Sequence, residues 1–564
     1  SKDFIGSADI DYKFHFLPDL KAHLSVGMEA SSGKQDLYIE PTAASDLGYG
    51  RTGWIKEDKT NSSLNSYLQY TKQISKHNFD LMAGYEWQHF YRSGSSEYQG
   101  LTKNVYNTAL KDSVGFNYVA SAWKTESYLV SFFGRFNYSY GNKYLATFTL
   151  RNDGTSRFSP SNRWGLFPAG ALAWKINEEE FLKGKDIFTD LKVRLGYGIT
   201  GQQNLGLGDY PYIPVYQNNV NGAYYVFDST YVNTSRPDAY NSKLKWEQTT
   251  TYNAGLDFGI LNSRITGSVD YYFRETKDLL NVVDVPAGSN FKNRVVSNIG
   301  SLQNKGVEFS ISVKPISNKN CTWEIGYNVT YNENKITALT LGAKADQPIA
   351  TGGISSGVGS NIQAYAIGYP TNSFYVYHQA YDSITGKPLE GTFIGKDGKI
   401  TTKPGTADLY YYKKPAADIT MGLSSKFIYK NFDFSFSLRG SIGNYVYNDV
   451  AAGRSNLGTG SLFYSNYFSN RPVSALYTDF KDQKTFLSDY YVENASFIRC
   501  DNITVGYSFK KLSENISSGR IFATIQNPFV ITKYSGLDPE LFSGIDNNIY
   551  PRPIVTLVGL SLTF

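Results

Sequence analysis

Cysteine is nearly absent from this chain: Cys321 and Cys500 are the two in 564 residues. Two isolated cysteines supply neither a disulfide framework nor a metal pattern, so they read as unpaired fillers. The five histidines, His15, His23, His77, His89 and His378, lack the close pairing and third ligand that a zinc site needs. Long apolar runs are missing too. Nothing approaches the ~18 consecutive apolar residues of a transmembrane helix, and the mean hydropathy is −0.36. Charge of one sign is scarce: 55 Lys and Arg against 50 Asp and Glu leave a net +5, with no long basic run. That excludes the concentrated positive face of a nucleic-acid binder. Residues 196–208 are glycine-rich but lack the Gly-Lys-Ser/Thr of a phosphate loop. No Gly-x-Ser-x-Gly elbow accompanies a strand-to-helix turn either, so no catalytic residue is assigned and no enzyme is expected.

Aromatic residues are what the chain has in excess, with 46 Tyr and 35 Phe. They fall in a period of two. Phe432, Phe434, Phe436 and Leu438 alternate with Asp433, Ser435, Ser437 and Arg439. Leu191, Val193, Leu195, Tyr197 and Ile199 alternate with Lys192, Arg194, Gly196, Gly198 and Thr200. Such segments are strands with one apolar and one wet face. About 17 of them are predicted by this rule, among them 20–32, 61–73, 78–92, 125–140, 294–314 and 490–509. A membrane-spanning barrel defeats a hydropathy plot for this reason: its lumen-facing positions are polar.

The connections alternate short and long. Short ones include Pro18-Asp19, Gly141-Asn142, Leu261-Asn262, 315–319 and 429–431. Long ones lie near 33–60, 93–124, 201–244, 335–415, 445–489 and 532–551. Outer-membrane barrels pair short periplasmic turns with long external loops. A soluble sandwich or propeller has no reason to sort its loops this way. The expected fold is therefore all-β, a transmembrane antiparallel barrel in a Gram-negative outer membrane, with 1–564 as one barrel portion. If the last strand runs toward the periplasm, the first runs from outside to inside. An odd number of further strands is then expected upstream of Ser1. In the final strand, Thr556, Val558, Leu560, Leu562 and Phe564 share a face. With Gly559, Leu562 and Phe564 it resembles the signal read by the barrel-insertion machinery.

Several segments resemble SusC-like TonB-dependent transporters, the SusC/RagA family of large glycan importers of the starch-utilisation type. They include Gly134-Arg135-Phe136-Asn137-Tyr138, Arg151-Asn152-Asp153-Gly154-Thr155-Ser156-Arg157-Phe158 and Trp164-Gly165-Leu166-Phe167-Pro168. Further on come Leu195-Gly196-Tyr197-Gly198-Ile199-Thr200-Gly201, Leu244-Lys245-Trp246-Glu247, Ser496-Phe497-Ile498-Arg499, Gln526-Asn527-Pro528-Phe529 and Tyr534-Ser535-Gly536-Leu537-Asp538-Pro539-Glu540. The matches span nearly the whole chain and keep the family's order. The resemblance implies a barrel of about 22 strands around an N-terminal plug, of which this chain would supply the C-terminal 17 or so. It also implies energy from TonB, acting through a region outside this sequence, and a SusD-like surface lipoprotein as a lid. It implies active import of a nutrient, an oligosaccharide first and a peptide second. An adhesion or structural barrel is the competing class, and the upstream sequence separates the two.

Ligand contacts are expected on the loops. Loop 201–244 carries Tyr210, Tyr212, Tyr216, Tyr224 and Tyr225, and loop 445–489 carries Tyr464 and Tyr467. Aromatic faces stack on the C–H faces of sugars, while neighbouring Asn and Asp bond to hydroxyls. Tyrosine is also enriched where loops pack or meet a partner protein. Asp538, Glu540 and Asp546 share one loop, where oxygen ligands could hold Ca²⁺. A polar turn is the plainer reading, and no cofactor is expected.

Overall fold

The computed structural model describes residues 1–40, 51–103, 114–182, 187–203, 208–217, 224–228, 230–285, 288, 290–292, 294–339, 347–355, 360–455, 463–464, 467–468, 471–510, 516–547 and 549–564. Its long strands are β1 (Lys2–Lys13), β2 (Leu20–Ile39), β3 (Arg51–Ile74), β4 (His77–Lys103), β5 (Val114–Tyr140), β6 (Tyr144–Thr155), β7 (Trp164–Lys175) and β8 (Phe188–Gln202). They continue with β9 (Glu247–Ile260), β10 (Ile265–Lys277), β11 (Ser301–Ser317), β12 (Cys321–Ala338), β13 (Ile419–Tyr429), β14 (Phe432–Ile442), β15 (Phe497–Lys510), β16 (Ser518–Thr532) and β17 (Val555–Thr563). These seventeen make the principal antiparallel sheet, and no helix among the described residues is long and apolar enough to cross a membrane. The chain divides into two compact units.

The first unit comprises Ser1–Leu172, Gly196–Thr250 and Lys277–Ile299. Strands β1 to β6 pair antiparallel in chain order. Their register shows which face is which. Across β4 and β5, Phe79 lies opposite Tyr138, Leu81 opposite Phe136, Tyr85 opposite Phe132 and Trp87 opposite Val130. This face is apolar, and Leu81 and Phe132 on it are exposed, as a lipid-facing band requires. Rings close both ends of the band: His77 beside Tyr140, and His89 stacked on Tyr128 at 4.3 Å. Such aromatic girdles sit where hydrocarbon gives way to headgroups. The opposite face is wet and ion-paired. There Arg151 meets Glu86 and Asp153, each at 2.6 Å, and Ser131 at 2.7 Å.

The second unit comprises Ala173–Leu195, Thr251–Thr276 and Gly300–Phe564. Strands β11 to β17 pair antiparallel in chain order. Phe432, Phe434 and Phe436 continue across β15 as Tyr507, Val505 and Ile503, another apolar stripe. The wet face holds Asp433 gripped by Arg520 at 2.9 and 2.6 Å. It also holds Arg194, which bonds both Asp257 and Asp270 at 2.7–3.0 Å.

The structure corrects several boundaries. Strands β2 to β5 run on into the segments expected as loops 33–60 and 93–124, because Arg51–Thr60 pairs residue by residue with Ile39–Ala30 and with Gly100–Tyr91. Mixed polar sequence hid this extension: outside the lipid band neither face need be apolar. Residues 41–50 and 104–113 of those loops lie outside the described residues. The expected strand 294–314 is two elements. Arg294–Asn298 pairs with Leu280–Asp284, and Gly300, at φ +85°, separates it from β11. The expected strand 490–509 likewise begins at Phe497, since Val492–Asn494 pairs with Tyr445–Tyr447 instead.

Candidate ligand-binding surface of the loops

In the first unit, segments that are far apart in sequence converge on one small core. Phe158, Phe167, Leu244 and Trp246 are buried together. Both phenyl rings meet Trp246 edge to face, at 5.7 and 5.3 Å, and the indole N–H donates to the Arg163 carbonyl at 2.9 Å. Gly201 has to be glycine here: a Cβ would stand 2.2 Å from the Phe167 ring and 2.9 Å from Trp246. Arg157 pairs with Asp209 beside this core at 2.8 Å. The glycine-rich run thus seats a strand end against aromatic rings rather than cradling a phosphate.

Among the described residues, the tyrosines singled out in loop 201–244 make separate contacts. The Tyr210 hydroxyl accepts the Glu126 backbone N–H at 3.3 Å. Tyr212 is half-buried. Tyr216 is exposed and pairs through its backbone with Pro237. Tyr225 is exposed in a separate hairpin, its ring 4.6 Å from Phe227. The backbone of Tyr224 pairs with Asn233 and that of Tyr464 with Tyr467. The side chains of Tyr224, Tyr464 and Tyr467 lie outside the described residues.

Loop residues that sequence reasoning passed over are more closely assembled. In the second unit the connections after β12, β14 and β16 fold around a core of their own. It includes Ile362, Phe374, Val376, Tyr447, Phe480, Phe486, Tyr491 and Ile545. Backbone bonds stitch the connections together: Tyr377 to Leu487 at 2.8 Å, and Tyr447 to Gly544 at 2.8 Å. The Tyr447 hydroxyl donates to the Phe486 carbonyl at 2.6 Å. The segment expected as the long connection 335–415 is therefore part of a packed module. Its turns are real, with Gly386 and Gly398 at positive φ.

Tyrosines crowd the surface of this module. Tyr411 is sandwiched between Tyr369 at 3.8 Å and Tyr375 at 4.7 Å, and burial pushes its phenol up to about 12. On the other side of the same short strand, Tyr410 lies 5.7 Å from Tyr412 and 5.2 Å from His378. Its hydroxyl donates to Asp489 at 2.6 Å. Burial holds the Asp489 carboxyl above its ordinary value, against the hydrogen bonds from Tyr410 and the Gln379 N–H. The signal that could have found this group is the run Tyr410-Tyr411-Tyr412-Lys413-Lys414.

The three acidic residues weighed as a Ca²⁺ site are engaged otherwise. Asp538 meets Arg499 at 2.5 Å and Arg552 at 3.0 Å. Glu540 meets Arg439 and, at 3.0 Å, Arg552. Asp546 accepts the Tyr534 hydroxyl at 2.7 Å. A cation at Asp538 and Glu540 would have to displace guanidinium groups. Of the residues proposed as an insertion signal, Gly559 leaves room for the Phe522 ring, which a Cβ would meet at 2.2 Å. Leu562 pairs with Gly519, and Phe564 is exposed.

Comparison with known proteins places this geometry. The family described as TonB dependent receptor-like, beta-barrel matches residues 5–357. The TonB-dependent receptor SusC of Bacteroides thetaiotaomicron is 51% identical over all of this chain and 56% of its own length. The TonB-dependent receptor P3 of Formosa agariphila is 30% identical over 98% of this chain and 57% of its own length. The chain thus spans little more than half of these relatives. A structure of the RagAB peptide transporter superposes with a TM-score of 0.81 at 22% identity, over all of this chain and 62% of that one. The strand pairing, the lipid-facing bands and these matches agree: the chain belongs to the TonB-dependent receptor β-barrel family of the Gram-negative outer membrane.

Proposed function

We propose that the protein imports a neutral oligosaccharide across the outer membrane, drawing energy through TonB and working with a SusD-like surface lipoprotein as a lid. The observation that carries this reading is the 51% identity with a TonB-dependent receptor, SusC, over the full length of the chain. The ligand class is argued from the loops. Their half-exposed tyrosines suit a hydroxyl-rich ligand that stacks on rings. An anionic ligand calls for clustered arginines, but Arg439, Arg499 and Arg552 are held by carboxylates. Peptide import is the second reading. It is supported by the structural likeness to the RagAB peptide transporter, which at 22% identity speaks to fold.

The two readings separate in culture. A strain lacking the gene is grown with neutral oligosaccharides, or with peptides, as the limiting nutrient. A growth defect restricted to oligosaccharides, cured by restoring the gene, supports the proposal. A defect restricted to peptides transfers the function to the second reading. The same strain, with the gene restored but TonB removed, should show the oligosaccharide defect again.

A further inference from the structure

In the first unit, the lipid-facing side of β4 does not stop at the membrane. Side chains two apart share a face, so the side that carries Leu81, Tyr85, Trp87 and His89 goes on as Ser93, Ser95, Glu97 and Gln99. Register carries this face onto the neighbouring strands. Glu97 lies opposite Trp54 and Trp54 opposite Asp36; Ser95 lies opposite Lys56 and Lys56 opposite Lys34; Ser93 lies opposite Lys124. Glu97 is eight residues beyond His89 of the outer girdle, about 27 Å along the strand and, at the tilt of barrel strands, about 20 Å above it. The outward surface of these extensions therefore stands among the headgroups of the outer leaflet.

Two hollows open on that surface. The lower, about 410 Å³, is lined by residues that include Asp58, Ser93, Ser95, Ala122 and Lys124. The upper, about 280 Å³, is lined by residues that include Asp36, Tyr38, Thr52, Trp54, Glu97 and Gln99. Lys34 and Lys56 face each other between the two, and like charges directly across two strands repel. Lys34 bonds Asp36 and Lys56 bonds Asp58, each at 2.9 Å. Exposed pairs of this kind are weakly held, so an anion can share the lysines and relieve their repulsion. In the upper hollow Tyr38 is 72% exposed. Trp54 is half-buried, with Lys34 6.0 Å from its ring. Rings beside carboxylates and an amide suit a sugar.

We infer that this face seats the sugar chain of an outer-leaflet glycolipid, with its anionic groups at Lys34, Lys56 and Lys124 and its neutral sugars against Tyr38 and Trp54 above. The order of the residues fits such a lipid, whose charged groups lie next to its acyl chains: the lysines stand nearer the girdle than the two rings do. Basic clusters at headgroup height are a general means of holding anionic lipids. Continuity with the lipid-facing band brings the occupant to the site without a separate encounter. A second copy of the chain or another protein fits less well. The cores of such interfaces are depleted of charge, whereas this face carries Asp36, Asp58 and Glu97 besides the three lysines. The seat is independent of what the barrel carries.

The test is binding of the full-length receptor, stripped of lipid in detergent, to three probes: rough lipopolysaccharide, the lipid A left when acid removes its sugars, and phosphatidylglycerol. Wild type should bind lipopolysaccharide roughly tenfold more tightly than either sugar-free lipid. Tyr38→Ala and Trp54→Ala together should remove most of that preference and leave lipid A binding within about twofold of wild type. Lys34→Gln, Lys56→Gln and Lys124→Gln together should weaken lipopolysaccharide binding several-fold, and more at low ionic strength than at high. If the double ring variant does not reach the membrane as folded barrel, Tyr38→Ala alone carries the test, since its exposed ring is not part of the core: a reduced preference supports the seat and full retention overturns it. Equal wild-type affinity for lipopolysaccharide and lipid A, or a preference that survives both sets of substitutions, overturns the seat. So does a fall in the mass of the purified receptor in either variant, which would make the face an interface between copies.

Discussion

Arg499 shows how much one residue can carry. With 5% of its side chain exposed, it faces Asp538 with 4% exposed, and both lie in segments that first pointed to the family. Sequence could show that the two segments belong to the pattern; it could not show that they meet, because the partners sit on separate elements. Arg499→Gln leaves a buried carboxylate with Arg552 alone, and breaking such a pair costs about 3–5 kcal/mol. The unfolding temperature of the purified barrel, read by its heat-shifted gel mobility, should fall. An unchanged transition would show that Arg552 suffices. Asp489 makes a second residue-level case. Burial raises its carboxyl above the ordinary value, so the folded loops hold that proton more tightly than an unfolded chain does. The stabilisation is fully present below the ordinary carboxylate range and is lost as pH rises through the raised value. Asp382 and Asp408 act oppositely, lowered by backbone N–H donors. Their contribution is lost only when pH falls below the ordinary range. Hydrogen exchange of the module's amides, corrected for intrinsic rates, should therefore slow as pH is lowered from neutral toward the raised Asp489 value. The Asp489→Asn variant should show no such change. Equal slopes in the two proteins would assign the effect to His378 or to another group.

Elements differed in how well sequence revealed them. Inside the lipid band each residue faces either hydrocarbon or the wet interior, so the period of two is clean in β14, where Phe432, Phe434 and Phe436 stand against Asp433, Ser435 and Ser437. Beyond the band the contrast fades, and the extensions of β2 to β5 could not be read. The loop module was the larger omission. Its strands are two to seven residues long, too short for any period to show, and its pairings join distant segments such as Tyr377 with Ser488. Tyr464 and Tyr467 stand out in sequence as aromatics in a loop, whereas Tyr410 and Tyr412 lie in 335–415, which reads only as a long connection. A core of its own makes the module a separable element. Phe480→Ala removes a fully buried ring, a change that costs about 3–5 kcal/mol in a packed core. Intact cells carrying it should lose the loops to an added protease faster than wild type, while the amount of heat-modifiable barrel in the membrane stays the same. Loss of the barrel as well would mean that the module and the wall fold as one.

At the scale of the whole molecule, the alternation of short and long connections is read from sequence because loop length needs no knowledge of packing, although two of the expected long loops, 33–60 and 93–124, are largely strand. It carries the claim on which the functional reading stands: the tyrosine-bearing module is outside the cell, and the short turns are not. Impermeant maleimide labelling of single cysteines in intact cells tests this directly. In a background with Cys321 and Cys500 replaced by serine, Ile384→Cys sits on an exposed turn of the module, and Lys319→Cys sits on the short exposed turn between β11 and β12. The account predicts rapid labelling at 384 in intact cells, and labelling at 319 only after the outer membrane is permeabilised. Labelling of 319 in intact cells, or protection of 384 until permeabilisation, would contradict it.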